Sequence, residues 1–145
     1  MKTRVSAKQM MIALSCFLFS APAFAARYEV AAKTCDLQSA GTDSEVLFEI
    51  MGERGNSLHH LGYTPNRNDF ARDQVDSYEV STPDLGALRW LRVTMPGTDG
   101  WCMQWVRLRN LDTGRSWFWR YNSWIDTNSE YPATVLCKVG EAKCR

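Results

Sequence analysis

Short runs in which apolar and polar residues alternate recur along the chain, and turn-forming residues separate them. "RYEVAAKTC" sets Tyr28, Val30 and Ala32 against Glu29, Ala31 and Lys33. "EVLFEIMG" places Val46, Phe48 and Ile50 on one side, and "GERGNS" then reads as a turn before "SLHHLGY". "DQVDSYEVST" is a further strand, closed by "PDLG", where Pro83 and Gly86 bracket a bend. "ALRWLRVTM" sets Leu91 and Val93 against Arg92 and Thr94, and "PGTDG" interrupts the pattern. "WCMQWVRLRNL" resumes it with Val106 and Leu108 on one side, and a tight "DTG" turn leads into "RSWFWRYNSWI". Period-2 alternation of this kind belongs to strands with one buried face. Outside the first residues no window holds a 3.6-residue period; "DLGAL" offers one helical turn at most. About eight short strands with frequent turns predict an all-β protein, an antiparallel β-sandwich.

The amino-terminal segment breaks the pattern. "MKTRVSAKQ" is basic, "MMIALSCFLFS" is an apolar stretch too short to span a bilayer, and "APAFA" puts small residues at Ala23 and Ala25. Residues 1–25 are therefore read as a signal peptide cut after Ala25, and the chain as exported, to the periplasm or beyond. Cys16 is poorly placed for lipidation, because Leu14 is one position too close and Phe17 and Leu18 continue the apolar run.

About 120 residues then remain, a single-domain length able to bury a core. The division expected is a sandwich over 26–126 and a carboxyl-terminal tail over 127–145. In that tail "ATVLCKV" is a candidate added strand, able to cover an edge or a tryptophan face. The full chain carries a formal charge of +1. No basic block survives signal removal, which argues against nucleic acid as a partner.

Four cysteines remain in the mature chain: Cys35, Cys102, Cys137 and Cys144. An even count in an exported chain predicts two disulfides. Spacing leaves three pairings open; the favoured one joins Cys137 to Cys144 as a local staple and Cys35 to Cys102 at long range. No Cys-x-x-Cys pair suggests a thiolate metal site. No serine or free cysteine occupies a nucleophile motif, and no paired acids match a hydrolase pattern, so the chain is read as a non-enzyme. His59 and His60 are adjacent, and on a strand they point to opposite faces, a poor arrangement for chelation.

Five short motifs occur in order: Gly41-Thr42-Asp43, Gly52-Glu53-Arg54-Gly55, Asn68-Asp69-Phe70, Asp84-Leu85-Gly86 and Asp112-Thr113-Gly114. With their flanking strands, from about Tyr28 to Ile125, they resemble the polycystin–lipoxygenase–alpha-toxin, or PLAT, domain. The resemblance implies a sandwich of two four-stranded sheets and a non-catalytic module that docks on membranes or on partner proteins, with calcium organising the loops at one end in several members. Carried onto this sequence, it implies one calcium site from Gly41, Thr42, Asp43, Asn68 and Asp69. Calcium takes six to eight oxygen ligands, and these residues offer carbonyl, hydroxyl, amide and carboxylate oxygens. The chain departs from the family at Ser39-Ala40 and Met95-Pro96-Gly97, where some members carry acids. A second calcium site is thereby lost unless Asp36 or Asp99 substitutes. The bland alternative is that Asp43 and Asn68 only cap turns.

Leu37, Tyr63 and Met95 are the apolar candidates for membrane or partner contact at the loop end. All six tryptophans fall between residues 90 and 124. The resemblance implies that Trp101 and Trp124 are core, and Trp90 is read as the start of a core strand. In "SWFWRY", Trp117 and Trp119 share one face and Phe118 the other, so one set faces outward unless the tail covers it. An exposed Trp117–Trp119 pair would make a sugar-stacking platform or a docking patch. The reading is thus a stand-alone, monomeric module binding a membrane surface or a secreted or periplasmic protein, with calcium as the one cofactor. The alternatives are a carbohydrate-binding module and an accessory or inhibitor protein of a secreted enzyme.

Overall fold

The computed structural model describes residues 25–62, 68–128 and 130–145. The expected signal segment, Ala25 apart, and Tyr63 lie outside them. The described residues form eight strands and no helix: β1 Ala26–Thr34, β2 Val46–Gly52, β3 Gly55–Leu61, β4 Val75–Thr82, β5 Leu88–Thr94, β6 Trp101–Asn110, β7 Ser116–Ile125 and β8 Thr134–Lys138. They make two four-stranded sheets, β4-β1-β6-β7 and β3-β2-β5-β8. Every pairing is antiparallel. The expected sandwich is present. The helical turn considered at "DLGAL" is absent; those residues form the loop between β4 and the start of β5.

The alternation read from sequence sets the core. Tyr28, Val30 and Ala32 of β1, Val46, Phe48 and Ile50 of β2, Leu91 and Val93 of β5, and Val106 and Leu108 of β6 are buried between the sheets. Trp101 is fully buried and donates its indole N–H to Thr34 Oγ1 at 2.9 Å, which spares both groups an unpaired burial. Phe70 lies in a loop, yet its ring is fully buried, with its centroid 4.8 Å from that of Trp101. Half-buried Trp124 packs on a small separate cluster of Cys35, Ala40 and Cys102. Trp90 is half-buried, beneath the Lys138 ammonium at 5.6 Å.

The last strand comes from the carboxyl-terminal residues. β8 adds to the edge of β5. Beyond it the chain turns back, and Cys144 N–H donates to Arg120 O at 3.0 Å while Arg120 N–H donates to Ala142 O at 3.0 Å. The tail thus covers part of the β7 edge. Trp119, fully buried, donates its indole N–H to Lys138 O at 2.8 Å. Both favoured disulfides form, Cys35–Cys102 and Cys137–Cys144. Two such bonds accord with folding in an oxidising compartment.

Three of the five motifs prove to be structural, and all three lie at the end of the sandwich where β2 turns into β3. A Cβ on Gly52 would stand 2.2 Å from Leu85 O, so that close approach requires glycine. Arg54 N–H donates to Leu85 O at 3.0 Å, and its guanidinium meets Asp84 at 2.5 Å. The Arg54 hydrogen bond, followed by the Gly86 N–H, holds the Asp84 carboxyl below the usual carboxylate range. Asp112 accepts from the Arg27 backbone N–H at 2.8 Å, tying the β6–β7 turn to the start of β1.

Candidate functional site

The other two motifs meet at the opposite end. There β1 hands over to β2 through residues 35–45, β3 to β4 through 62–74, and β5 to β6 through 95–100. The Cys35–Cys102 disulfide and two backbone bonds, Cys35 N–H to Cys102 O at 2.9 Å and Cys102 N–H to Ala40 O at 3.0 Å, clamp the first loop to the base of β6. Gly41 then passes the second loop so closely that a Cβ would stand 2.8 Å from Phe70 O. Only glycine permits that contact without displacing one backbone or the other.

Past Gly41 the first loop meets the third. The Thr42 hydroxyl lies 3.0 Å from Asp99 O and 3.1 Å from Asp99 Oδ2, to either of which it can donate. It also accepts the Ser44 N–H at 3.1 Å, a local turn of the kind Ser and Thr favour. Asp43 N–H donates to Asp99 Oδ2 at 2.9 Å. Gly41, Thr42, Asp43, Asn68, Arg72 and Asp99 line a depression of about 350 Å³, and a wider one of about 510 Å³, lined by Asp43, Glu45 and Pro96, lies against Asp43 as well.

The charges around this junction are largely paired off. Arg72 binds Asp36 at 2.7 Å, Lys33 binds Asp73 at 2.6 Å, and His60 contacts Glu45 at 2.8 Å. Among the described residues no basic side chain forms an ion pair with Asp43 or Asp99. Nor does any group of three or more His, Cys, Asp and Glu side chains there have the arrangement of a metal centre. What the junction offers is a set of hard oxygens: the exposed Asp43 carboxylate, the Asp99 carboxylate, the Thr42 oxygens and exposed Asn68.

Of the residues named from sequence, Gly41, Thr42, Asp43 and Asn68 are brought together. Asp69 is buried, 5 % exposed, and does not line the depression; Asp99 does. Leu37 is exposed at 51 % on the tip of the first loop. Two contact candidates are corrected. Met95 is fully buried, because it continues the inward phase of Leu91 and Val93 and its N–H bonds Ala133 O at 2.9 Å. Trp119 is core, as described above, so no Trp117–Trp119 platform exists. Trp117 is half-buried, with the Arg115 guanidinium 5.1 Å above its ring, and Phe118 is the member of "SWFWRY" that faces out. Sequence reasoning also passed over Trp105, whose ring meets that of Phe118 on the outer face at 5.4 Å between centroids. The signal was available: Trp105 lies out of phase with inward Val106 and Leu108.

Comparison with known proteins agrees with the motif order. The family model described as the PLAT/LH2 domain matches residues 28–137, past Ile125 and through most of β8. Lipoxygenase homology domain-containing protein 1 of Mus musculus is 28% identical over 124 residues, 76% of this chain and 6% of that protein. Polycystin-1 of Homo sapiens is 29% identical over 108 residues, 72% of this chain and 2% of the relative. The chain therefore spans only a small part of these curated relatives. Among solved structures, a coral 8R-lipoxygenase, described as calcium-activated through a C2-like domain, aligns with TM-score 0.64 at 21% identity, covering 76% of this chain and 16% of its own. The alpha toxin of Clostridium absonum aligns at 0.60 and 26% identity, covering 74% and 30%.

Proposed function

The chain belongs to the PLAT/LH2 domain family, and from that premise we propose that it is a non-catalytic docking module whose loop end attaches to a lipid surface with the help of one calcium ion. The observation that carries this reading is the Asp43–Asp99 junction, where the Asp43 N–H binds the Asp99 carboxylate, both residues line one depression, and neither carboxylate has a basic ion-pair partner among the described residues. The oxygen donors there suit a hard cation, and Thr42, Asp43, Asn68 and Asp99 would hold it, with Gly41 permitting the loop contact. Two carboxylates predict weak affinity, a dissociation constant of roughly 0.1–1 mM, as in extracellular calcium modules. When bound, the ion supplies positive charge and open coordination positions for an anionic headgroup.

Electrostatics give the ion a reason to matter. With Lys33, Arg72 and His60 already facing acids, the Asp43–Asp99 corner is left negative among the described residues and repels an anionic bilayer. A divalent ion at the junction reverses that sign locally. Leu37 is then the apolar residue placed to insert, and full burial of a leucine side chain yields about 1.5–3 kcal/mol. Attachment on that scale is reversible. Calcium activation belongs to the coral lipoxygenase; its extension to this chain is part of the proposal.

Co-sedimentation with phosphatidylserine-containing vesicles tests the reading. Binding in millimolar calcium, its loss on chelation, and weaker binding by Leu37→Ala are expected. Vesicle binding that ignores calcium, or none at all with the fold intact, would overturn the lipid reading and leave a protein partner as the ligand of the loop end.

A further inference from the structure

We propose that the outer face of the β4-β1-β6-β7 sheet holds a second site, separate from the loop end, for an acidic saccharide. Strand register builds it. Lys33 pairs with Trp105 and Trp105 with Arg120, so these three residues form one row across β1, β6 and β7. Arg107 pairs with Phe118 in the next outward row. Trp105 and Phe118 stand as neighbours on adjacent strands, their rings inclined at 39° with centroids 5.4 Å apart. Together with Lys33, Gln104, Arg120 and Asn122 they line a cleft of about 360 Å³. That volume falls within the range of small-ligand sites, roughly 300–1,000 Å³.

A register shift shapes the cleft. Between the Met103–Ser123 and Trp105–Arg120 pairs, β7 carries one residue more than β6, and Asn122 adopts a positive φ of 54° there. Such an extra residue re-aims its neighbours, and asparagine tolerates the left-handed conformation better than most residues. Asn122 consequently lines the cleft beside Gln104 instead of continuing the strand's regular alternation.

The donor set defines the ligand. Two inclined aromatic faces, one of them 46 % exposed on Phe118, suit the C–H face of a pyranose ring. The amides of Gln104 and Asn122 each donate and accept, as vicinal hydroxyls require. The charge is positive. Lys33 is held by Asp73 and Arg107 by Glu29 at 2.6 Å, but neither Arg109 nor Arg120 forms an ion pair among the described residues. Arg120 lines the cleft itself, and a planar guanidinium matches a carboxylate or sulfate bidentately. A saccharide bearing such a group satisfies stacking, hydroxyl and charge requirements together.

The test is calorimetric titration of the oxidised protein with tetragalacturonate, with neutral galactotetraose and a thymidine tetranucleotide as comparison probes. Saturable binding of the uronate is expected, at least roughly tenfold tighter than the neutral oligomer and weakened by added salt. Arg120→Gln is expected to lose roughly tenfold in affinity for the uronate and little for the neutral sugar. Phe118→Ala, on an exposed side chain, is expected to weaken both and to melt close to the parent protein. Equal binding of acidic and neutral sugars would overturn the proposal, as would parent-like affinity in both variants or no saturable heat from the parent. Tighter binding of the nucleotide would replace the saccharide with single-stranded nucleic acid.

Discussion

The backbone N–H of Asp43 reaches the carboxylate of Asp99 across 2.9 Å, joining two loops that are 56 residues apart in sequence. Thr42 reinforces the same corner with its hydroxyl. Removing the acceptor should free that amide. In Asp99→Ala, hydrogen exchange at the Asp43 amide is expected to accelerate by about tenfold or more, the equivalent of one net hydrogen bond, while core strand amides keep their protection. An unchanged Asp43 amide would mean that another acceptor holds the loop.

Gly41 sets how closely the first two loops approach. Gly41→Ala places a methyl 2.8 Å from the Phe70 carbonyl, and backbone, unlike a flexible side chain, yields at a cost. A loss of about 1–3 kcal/mol in urea denaturation is expected, accompanied by weaker calcium binding because Asp43 and Asn68 separate. Parent-like stability would show that the loops have slack.

The two disulfides should differ in worth. Cys35–Cys102 closes a span of 67 residues and Cys137–Cys144 one of 7. Loop-closure entropy assigns ~4 kcal/mol to the first and ~2–3 kcal/mol to the second. Replacing each pair by alanines and comparing denaturation midpoints checks the order. The long-range pair also clamps the first loop, so its loss should blunt calcium binding, whereas loss of the tail staple should not.

Burial, and then neighbouring His60, hold the His59 imidazole below its ordinary 6.5. His59 shares a 3.0 Å contact with Ser57, and His60 faces Glu45. The unfolded ring keeps its ordinary value, so below about pH 6.5 the unfolded chain takes up a proton that the folded chain refuses. The stability that His59 contributes is complete above that pH and declines as pH falls toward the lowered folded value. Thermal melts between pH 7 and 5 should therefore fall more steeply for the parent than for His59→Gln. Parallel curves would count against this account of His59.

The sheets were legible because a period of two is a local signal. Tyr28, Val30 and Ala32 announced their own burial, and so did Leu91 and Val93. The same alternation extends to Met95, and the inward phase should have outweighed its position beside Pro96. Trp119 needed tertiary knowledge, since β8 and the returning tail supply the carbonyl that satisfies its indole N–H. Phe70 was invisible as core, because a loop residue with φ of 55° follows no strand period. Asp99 was noticed only as a substitute acid. Its place beside Asp43 depends on how two loops, 56 residues apart in sequence, meet in the folded chain.

Calorimetric titration of calcium into the oxidised protein, compared with an Asp43→Asn, Asp99→Asn double variant, tests the central claim most directly. Asparagine keeps an oxygen acceptor for the Asp43 N–H and removes both charges, so the corner survives without its carboxylates. The account predicts one saturable site with a dissociation constant of roughly 0.1–1 mM in the parent and no saturation in the variant. No heat from the folded parent at several millimolar calcium, or equal binding by the variant, would contradict it and make the Thr42–Asp43–Asp99 corner a turn and nothing more.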